Sequence, residues 1–486
     1  MVIDIVLGRA TGRGGLEKVL TQVSKGLKQK GHRVRICQMS EPDHLDWVQT
    51  LPEIHYYEQL DKYKYEGNID VFSLALGYRE FISIEGKPDI VLATHTPIQS
   101  LICRLALEPL GEECPPIISW LHGPPESYGG EKYLYYSDAH LAISYNIYKK
   151  IEDIVDSDSI IHYIGNPVDI DNVELINRST GSIELLYVGR LDNTQKRLDI
   201  LFKALSKVNG NWRLRIVGDG PHSNELKFLA KQLDIEKKII WDGWRENPWN
   251  YIDEASLLVL SSDFEGFGLV LVEALSRGIP VLSTECEGPD EIIKDGVNGW
   301  LYPIGDIETL QYILNGLISG EISLPDRINC KESVVHYRPE VVVNQLEEIL
   351  LNYTIIDDLF EKLKSFKGLT IEEITTELYE ALVSKKINID ILFSFVEKRY
   401  PKPLLSKWLT NLGVLFWETE KFDFVIPALK KAIDYSSNNE DALFNLGFVL
   451  KSFGESELSN YYLNQIANKT QEVIDLIKLS SISETD

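Results

Sequence analysis

Two parallel α/β units facing a cleft, followed by an all-helical region, form the architecture that this 486-residue sequence predicts. Three observations carry it. Short apolar runs rich in Val, Ile and Leu alternate with segments of helical period from the N-terminus onward, which marks a parallel sheet covered on both faces. The alternation restarts near residue 180, after the polar stretch STGSI at 179–183. From about residue 354 the strand signal ceases and helical spacing runs on alone.

The first unit spans residues 1–170. VIDIVLG (2–8) reads as a buried strand, and RATGRGG (9–15) as a glycine-rich turn. LEKVLTQVSKGLKQKG then carries apolar residues at helical spacing and stops at Gly31. RVRIC (33–37), DIVLAT (89–94) and IISWLHG (117–123) follow as strands. The second unit spans residues 181–340. Its strands are IELLYVGR (183–190), RLRIVGDGP (213–221), KIIWDGW (238–244), SLLVLSS (256–262) and IPVLST (279–284), each closing on a turn or polar cluster. Ligands of open parallel sheets sit at the carboxyl ends of the strands, so these turns are where chemistry is expected. Residues 341–353 read as a helix returning to the first unit.

Residues 354–486 form the helical region. Thr370 and Glu373 make a capping box that opens one helix. NLGVLF from Asn411 and NLGFVL from Asn445 begin an internal repeat at an offset of 34 residues, in which Leu412/Leu446, Gly413/Gly447 and Leu429/Leu463 coincide. A helix–turn–helix of this period has the tetratricopeptide signature. Pro427 is tolerated there if Asp423 caps the second helix and the proline falls in its first turn. Such arrays present a surface to peptides, so a protein acceptor, an assembly partner or a second copy of the chain is the expected partner.

A formal net charge of −25 argues against non-specific nucleic-acid binding and against a polybasic lipid anchor over the whole surface. A local basic face remains open at Lys25, Lys28, Lys30, Arg33 and Arg35, so at most peripheral membrane contact is expected. Five scattered cysteines without a CxxC read as reduced thiols of a cytoplasmic protein. MVIDIVLG reads as a strand rather than a signal peptide, and no apolar run approaches a membrane span.

The richest stretch is SSDFEGFGLVLVEALSRG at 261–278. It reads as strand, turn and a helix beginning at Phe267 or Gly268, whose first amides attract an anion. Gly266 and Gly268 allow close approach to the backbone. Glu265 lies just ahead of the helix, and Glu273 sits inside an apolar run. In a continuous helix the two would fall within about 80° of one face. A carboxylate there is costly unless paired or facing a polar ligand such as a ribose diol; pairing with Arg277, or a solvent-facing position, is the plainer alternative. YVGRLDNTQKR puts Arg190 just past a strand and Lys196 six residues on, two cations suited to a diphosphate. The acidic stretch DSD at 156–158 reads as a solvated loop, and no metal site is expected.

The E-x7-E pattern of Glu265 and Glu273 in this context resembles retaining glycosyltransferases of the GT-B fold and GT4 type, such as bacterial lipopolysaccharide and exopolysaccharide hexosyltransferases. The resemblance covers about residues 1–350. It implies that Glu265 contacts the donor sugar, that Glu273 binds the ribose diol, and that Arg190 and Lys196 neutralise the leaving diphosphate. Arg197 stands where the family often has glycine, which leaves open which cation meets phosphate. Gly14 and Gly15 resemble the family's G-G-x-E loop, and His122 a histidine beside the transferred sugar. Gly218, Gly243 and Trp244 lie in turns against which the base packs. Gly266, Phe267, Gly268 and Leu269 supply phosphate-facing backbone. Asn166 resembles a family Asn-Gly turn, with Pro167 replacing the glycine. The implied activity is retaining transfer of a hexose from a nucleotide-diphosphate sugar, UDP-linked, to a glycan, lipid-linked or protein acceptor, with no cofactor. A sugar-nucleotide epimerase or phosphorylase, or a non-catalytic sensor working through the helical repeats, would share the architecture.

Overall fold

The structure is a computed structural model describing residues 1–57, 70–156, 159–179, 181–365, 370–384, 387–397 and 400–478. Thr180 of the STGSI stretch and Ser157–Asp158 of the acidic stretch lie outside the described residues. The chain divides into two compact units, Met1–Glu347 and Glu348–Asp486, and the helix Pro339–Ser365 contains the boundary.

The first unit holds two parallel sheets. One is built from β1 (Val2–Leu7), β2 (Arg33–Gln38), β3 (Ile54–Tyr56), β4 (Ile90–Thr94), β5 (Ile117–Leu121), β6 (Ala139–Ala142) and β7 (Ile160–Tyr163), in the order β3-β2-β1-β4-β5-β6-β7. The other is built from β8 (Ile183–Val188), β9 (Trp212–Val217), β10 (Ile239–Gly243), β11 (Leu257–Val259), β12 (Val281–Thr284) and β13 (Gly299–Tyr302), in the order β10-β9-β8-β11-β12-β13. Central strands are buried end to end because helices cover both faces: Ile3, Ile5, Val6, Leu92, Ile118, Leu214, Leu258 and Leu282 are fully enclosed. Strand order reverses between β1 and β4, and again between β8 and β11. The carboxyl ends at these two switch points bound one cleft of about 1760 Å³.

The local basic face left open at residues 25–35 does not form as a whole. Arg35 faces inward from β2 opposite Asp4 of β1, and is completely buried. Its Nε and Nη2 donate to the Asp4 carboxylate at 2.5 and 2.8 Å, its Nη1 donates to the carbonyls of Glu85 and Gly86, and Tyr78 completes the set at 2.7 Å. A buried charge persists only when saturated in this way. Arg33 pairs with Glu53 and Glu85, and Lys30 with Glu347. The start of the helix Pro339–Ser365 lies against the first sheet's side, where Val343 meets Gly26 and Gln345 donates to the Tyr163 carbonyl at 3.0 Å.

In the second unit the capping box is formed: Thr370 Oγ1 accepts from Glu373 N at 3.2 Å, and the Glu373 carboxylate accepts from Thr370 N at 2.8 Å. Two helical hairpins follow, Lys402–Glu418 with Phe422–Tyr435 and Glu440–Ser452 with Ser456–Leu463. They share one contact at the 34-residue offset. A Cβ on Gly413 would lie 2.6 Å from Leu429, and one on Gly447 2.5 Å from Leu463, so both glycines are sites of close helix approach. Pro427 corrects the sequence expectation. The helix begins at Phe422, its N-cap is Lys421, and Asp423 does not cap it. The proline therefore lies beyond the first turn, and the Asp423 carbonyl loses its usual backbone donor.

Candidate active site

The turn after β8 is fixed by Tyr187, whose hydroxyl donates to the Arg190 carbonyl at 2.9 Å. The next segment is stitched to the end of β11. Asp263 N donates to the Gln195 carbonyl, Gln195 Nε2 to the Phe264 carbonyl and Ser261 Oγ to the Lys196 carbonyl, at 2.9, 3.1 and 3.0 Å. This brings Lys196 onto Glu265. The ammonium lies 2.8 Å from both carboxylate oxygens, and Ser262 Oγ donates to Oε1 at 2.6 Å. Glu265 is only 8% exposed, a burial that is costly for a carboxylate unless it is paired in this way.

Arg197 explains why Lys196 is the cation at the carboxylate. It adopts φ 48°, the left-handed region that suits glycine, and stands at the N-cap of the helix Leu198–Leu205. Its guanidinium turns to Asp199 at 3.0 Å and Asp263 at 2.9 Å, and is fully engaged there. Arg190 is placed differently. It lines the cleft, but its side chain is 69% exposed and reaches the edge of Asp192 at 4.0 Å. It is not gathered with Lys196 and Glu265.

The helix Leu269–Ser276 starts later than the sequence suggested, after Gly268 at φ 92°. Glu265 thus lies in the turn just ahead of the helix, as the sequence predicts, and the one-face geometry of a continuous helix does not apply. Glu273 is nevertheless buried, at 8% exposure. Its Oε2 accepts from Trp249 Nε1 at 2.9 Å and its Oε1 from Lys18 Nζ at 2.6 Å. Arg277, the plainer partner, instead donates to the Glu273 carbonyl and lies over the Trp249 ring.

The two sheets meet at backbone level. A Cβ on Gly266 would fall 2.1 Å from the His122 carbonyl oxygen. Gly15, the first residue of the helix Gly15–Gln29, lies against the Leu269 side chain. Gly14 precedes it, and Glu17 ties the loop by accepting from Gly12 N at 2.9 Å. Phe267 is buried edge-on to Tyr337. Gly218 touches the Gly189 carbonyl, and its N–H bonds the carbonyl of Gly243, so the ends of β8, β9 and β10 share one rim. Trp244 projects from that rim, 44% exposed.

His122 and His95 close the other side of the cleft, after β5 and β4. Among the described residues, buried His122 Nε2, His95 Nδ1 and Asn166 Oδ1 find no protein partner. Burial, helped by His95, pushes the His122 imidazolium down to about 3, and burial lowers His95 in the same direction. Both rings are therefore neutral near pH 7. The sign for stability follows. Below about pH 6.5 the unfolded chain takes up protons that the folded rings refuse, so this contribution is complete above 6.5 and is lost as pH falls towards 3. Melting temperature should drop over that window, and His122→Gln should flatten the drop; an unchanged slope would place the cause elsewhere.

The arrangement offers a buried carboxylate–ammonium pair beside a glycine turn and the start of a helix, a second buried carboxylate, and neutral imidazoles opposite. It suits an anion leaving a polyhydroxylated group. Lys18, Trp249 and His95 were not found from sequence. Lys18 follows the quoted glycine loop, but its partner is 255 residues away, and nothing local marks such a pair. Among the described residues no group of three or more His, Cys, Asp or Glu is placed to hold a metal, and no helix is long and apolar enough to cross a membrane.

The family profile described as glycosyl transferases group 1 matches residues 171–333, and that described as glycosyltransferase family 4 matches residues 13–172. The lipopolysaccharide 1,6-galactosyltransferase of Escherichia coli (strain K12) is 31% identical over 333 residues, covering 67% of this chain and 91% of that protein. The apo structure of the lipopolysaccharide outer core galactosyltransferase WaaB superposes with a TM-score of 0.62 at 28% identity, over 72% of this chain and 98% of that one. Anabaena HepE in complex with UDP is alike in fold, with a TM-score of 0.61 at 18% identity over 72% of this chain and 99% of its own.

Proposed function

The chain belongs to the group 1 glycosyl transferases and has their two-domain GT-B fold, and from that premise we propose that it is a retaining hexosyltransferase using a UDP-linked donor in surface-glycan synthesis. The observation that carries the reading is the Lys196–Glu265 pair, held against the glycine turn at the mouth of the helix Leu269–Ser276. The glycan setting is drawn from the galactosyltransferase relatives, and the uracil base from the Anabaena neighbour that carries UDP.

In this reading the diphosphate lies between Lys196, the exposed end of Arg190 and the backbone from Gly266 to Leu269. The bond between the anomeric carbon and the β-phosphate oxygen breaks, and the acceptor oxygen bonds that carbon on the same face. The acceptor proton passes to the departing phosphate. Lys196 and the backbone amides stabilise charge as it develops on that phosphate, the largest catalytic contribution in such sites. Glu265 and the neutral His122 hold sugar hydroxyls, and Glu273 accepts from the ribose diol. The 34-residue hairpins act as a tetratricopeptide-like platform for an acceptor-bearing partner or a second copy, with the enzyme at the cytoplasmic face of the membrane.

The test is release of UDP from a panel of UDP-hexoses by the purified protein. One donor should be hydrolysed slowly without acceptor; a panel left intact, or a donor epimerised without UDP release, would overturn the reading. For that donor, Glu273→Gln should raise KM by about tenfold with kcat little changed, since it removes an interaction common to ground and transition states. An unchanged KM would remove Glu273 from the ribose site.

A further inference from the structure

Arg13 and Lys18 belong to the first sheet's side of the cleft, yet both end on the second. The Arg13 guanidinium lies 3.8 Å from the centroid of the Trp244 ring. Lys18 Nζ lies 2.6 Å from Glu273 Oε1. The segment between them is braced. The Glu17 carboxylate accepts from Gly12 N at 2.9 Å and Thr11 Oγ1 at 3.3 Å, and the Glu17 carbonyl accepts from Trp47 Nε1 at 3.2 Å. Two contacts from one short, braced stretch therefore bridge the cleft.

Resting on the donor reading above, those contacts fall on the two positions that a nucleoside would use: a base against Trp244 and a ribose diol on Glu273. Trp249 already holds Oε2 of Glu273, so Oε1 is the oxygen left for a diol, and the ammonium is there. An ammonium and a diol both donate to that oxygen, so they compete for it. A base likewise needs the indole face that the guanidinium covers. We propose that Arg13 and Lys18 are nucleoside-subsite residues that compete with the nucleoside for Trp244 and Glu273, so that a nucleoside diphosphate binds by exchange and these two side chains set its affinity.

Both side chains are exposed enough that their removal leaves the core untouched. Calorimetric titration of UDP and of inorganic pyrophosphate into the full chain tests the exchange, using wild type, Arg13→Ala, Lys18→Met and the double variant, with Lys18→Gln as a polar alternative. The ion pair is half-exposed at its Lys18 end and the cation–π contact is exposed, so each is weak, and UDP should bind about two- to fivefold tighter in each single variant and about tenfold tighter in the double. Pyrophosphate, which needs neither Trp244 nor Glu273, should change by less than about twofold on the same grounds. UDP affinity that is unchanged overturns the exchange. Weaker binding of both UDP and pyrophosphate also overturns it, and would make the two cations a phosphate clamp. Failure of UDP to bind wild type and variants alike would overturn the donor reading and this inference together.

Discussion

Replacing Lys196 with alanine should slow sugar transfer by about a hundred- to a thousandfold, the usual cost of removing one group that stabilises developing charge. The same change strips Glu265 of both its contacts at 2.8 Å and leaves a largely buried carboxylate with Ser262 alone. Breaking a buried pair on one side costs about 3–5 kcal/mol, so a fall in melting temperature should accompany the loss. The two effects separate in a cycle. Glu265→Gln alone should also abolish most transfer. The double variant Lys196→Met with Glu265→Gln, which leaves no stranded charge, should recover much of the stability and none of the activity. Near-normal turnover in either single variant would mean that the pair serves the fold rather than the reaction.

Gly266→Ala should cost about a hundredfold in kcat with little change in melting temperature. The added Cβ would sit 2.1 Å from the His122 carbonyl oxygen and 3.1 Å from its carbon. Both obstacles are backbone, so no rotamer change relieves the clash. The two sheets must part by about 1 Å, and a misplacement of that size costs about a hundredfold in well-oriented catalysis. Each sheet retains its own core, so the fold survives. Full activity in this variant would show that the Gly266–His122 approach is not part of the working geometry.

How much of this was legible in the sequence varies by element. The long apolar strands were plain because both their faces are buried. β3, β6, β7 and β13 were not identified: they are three or four residues long, His55, His140 and His162 interrupt the first three, and β13 opens on Gly299. Glu265 and Glu273 stood out because a carboxylate in an apolar run demands a partner, but the partner of Glu273 did not. Lys18 reaches it only through the packing of one sheet against the other, and Trp249 from the turn after β10 of the same sheet, and no local spacing encodes either contact. Arg197 is a mixed case. The departure from the family's glycine was visible, but the left-handed backbone at Arg197 and the two aspartates that hold its side chain come from the structure.

His122 is the most consequential change of emphasis. Its neutral ring, pushed down to about 3 by burial, makes it a hydrogen-bonding group rather than a cation in the proposed reading. In the proposed reading, positive charge for the leaving group is then supplied by Lys196, with Arg190 exposed at the rim as the second cation.

That assignment is tested most directly by comparing the affinities of UDP and uridine for wild type and for Lys196→Ala. A charge-assisted contact to phosphate should make UDP bind wild type about ten- to a hundredfold tighter than uridine, and most of that difference should vanish in the variant while uridine affinity stays the same. A variant that keeps the full preference for UDP would contradict the account.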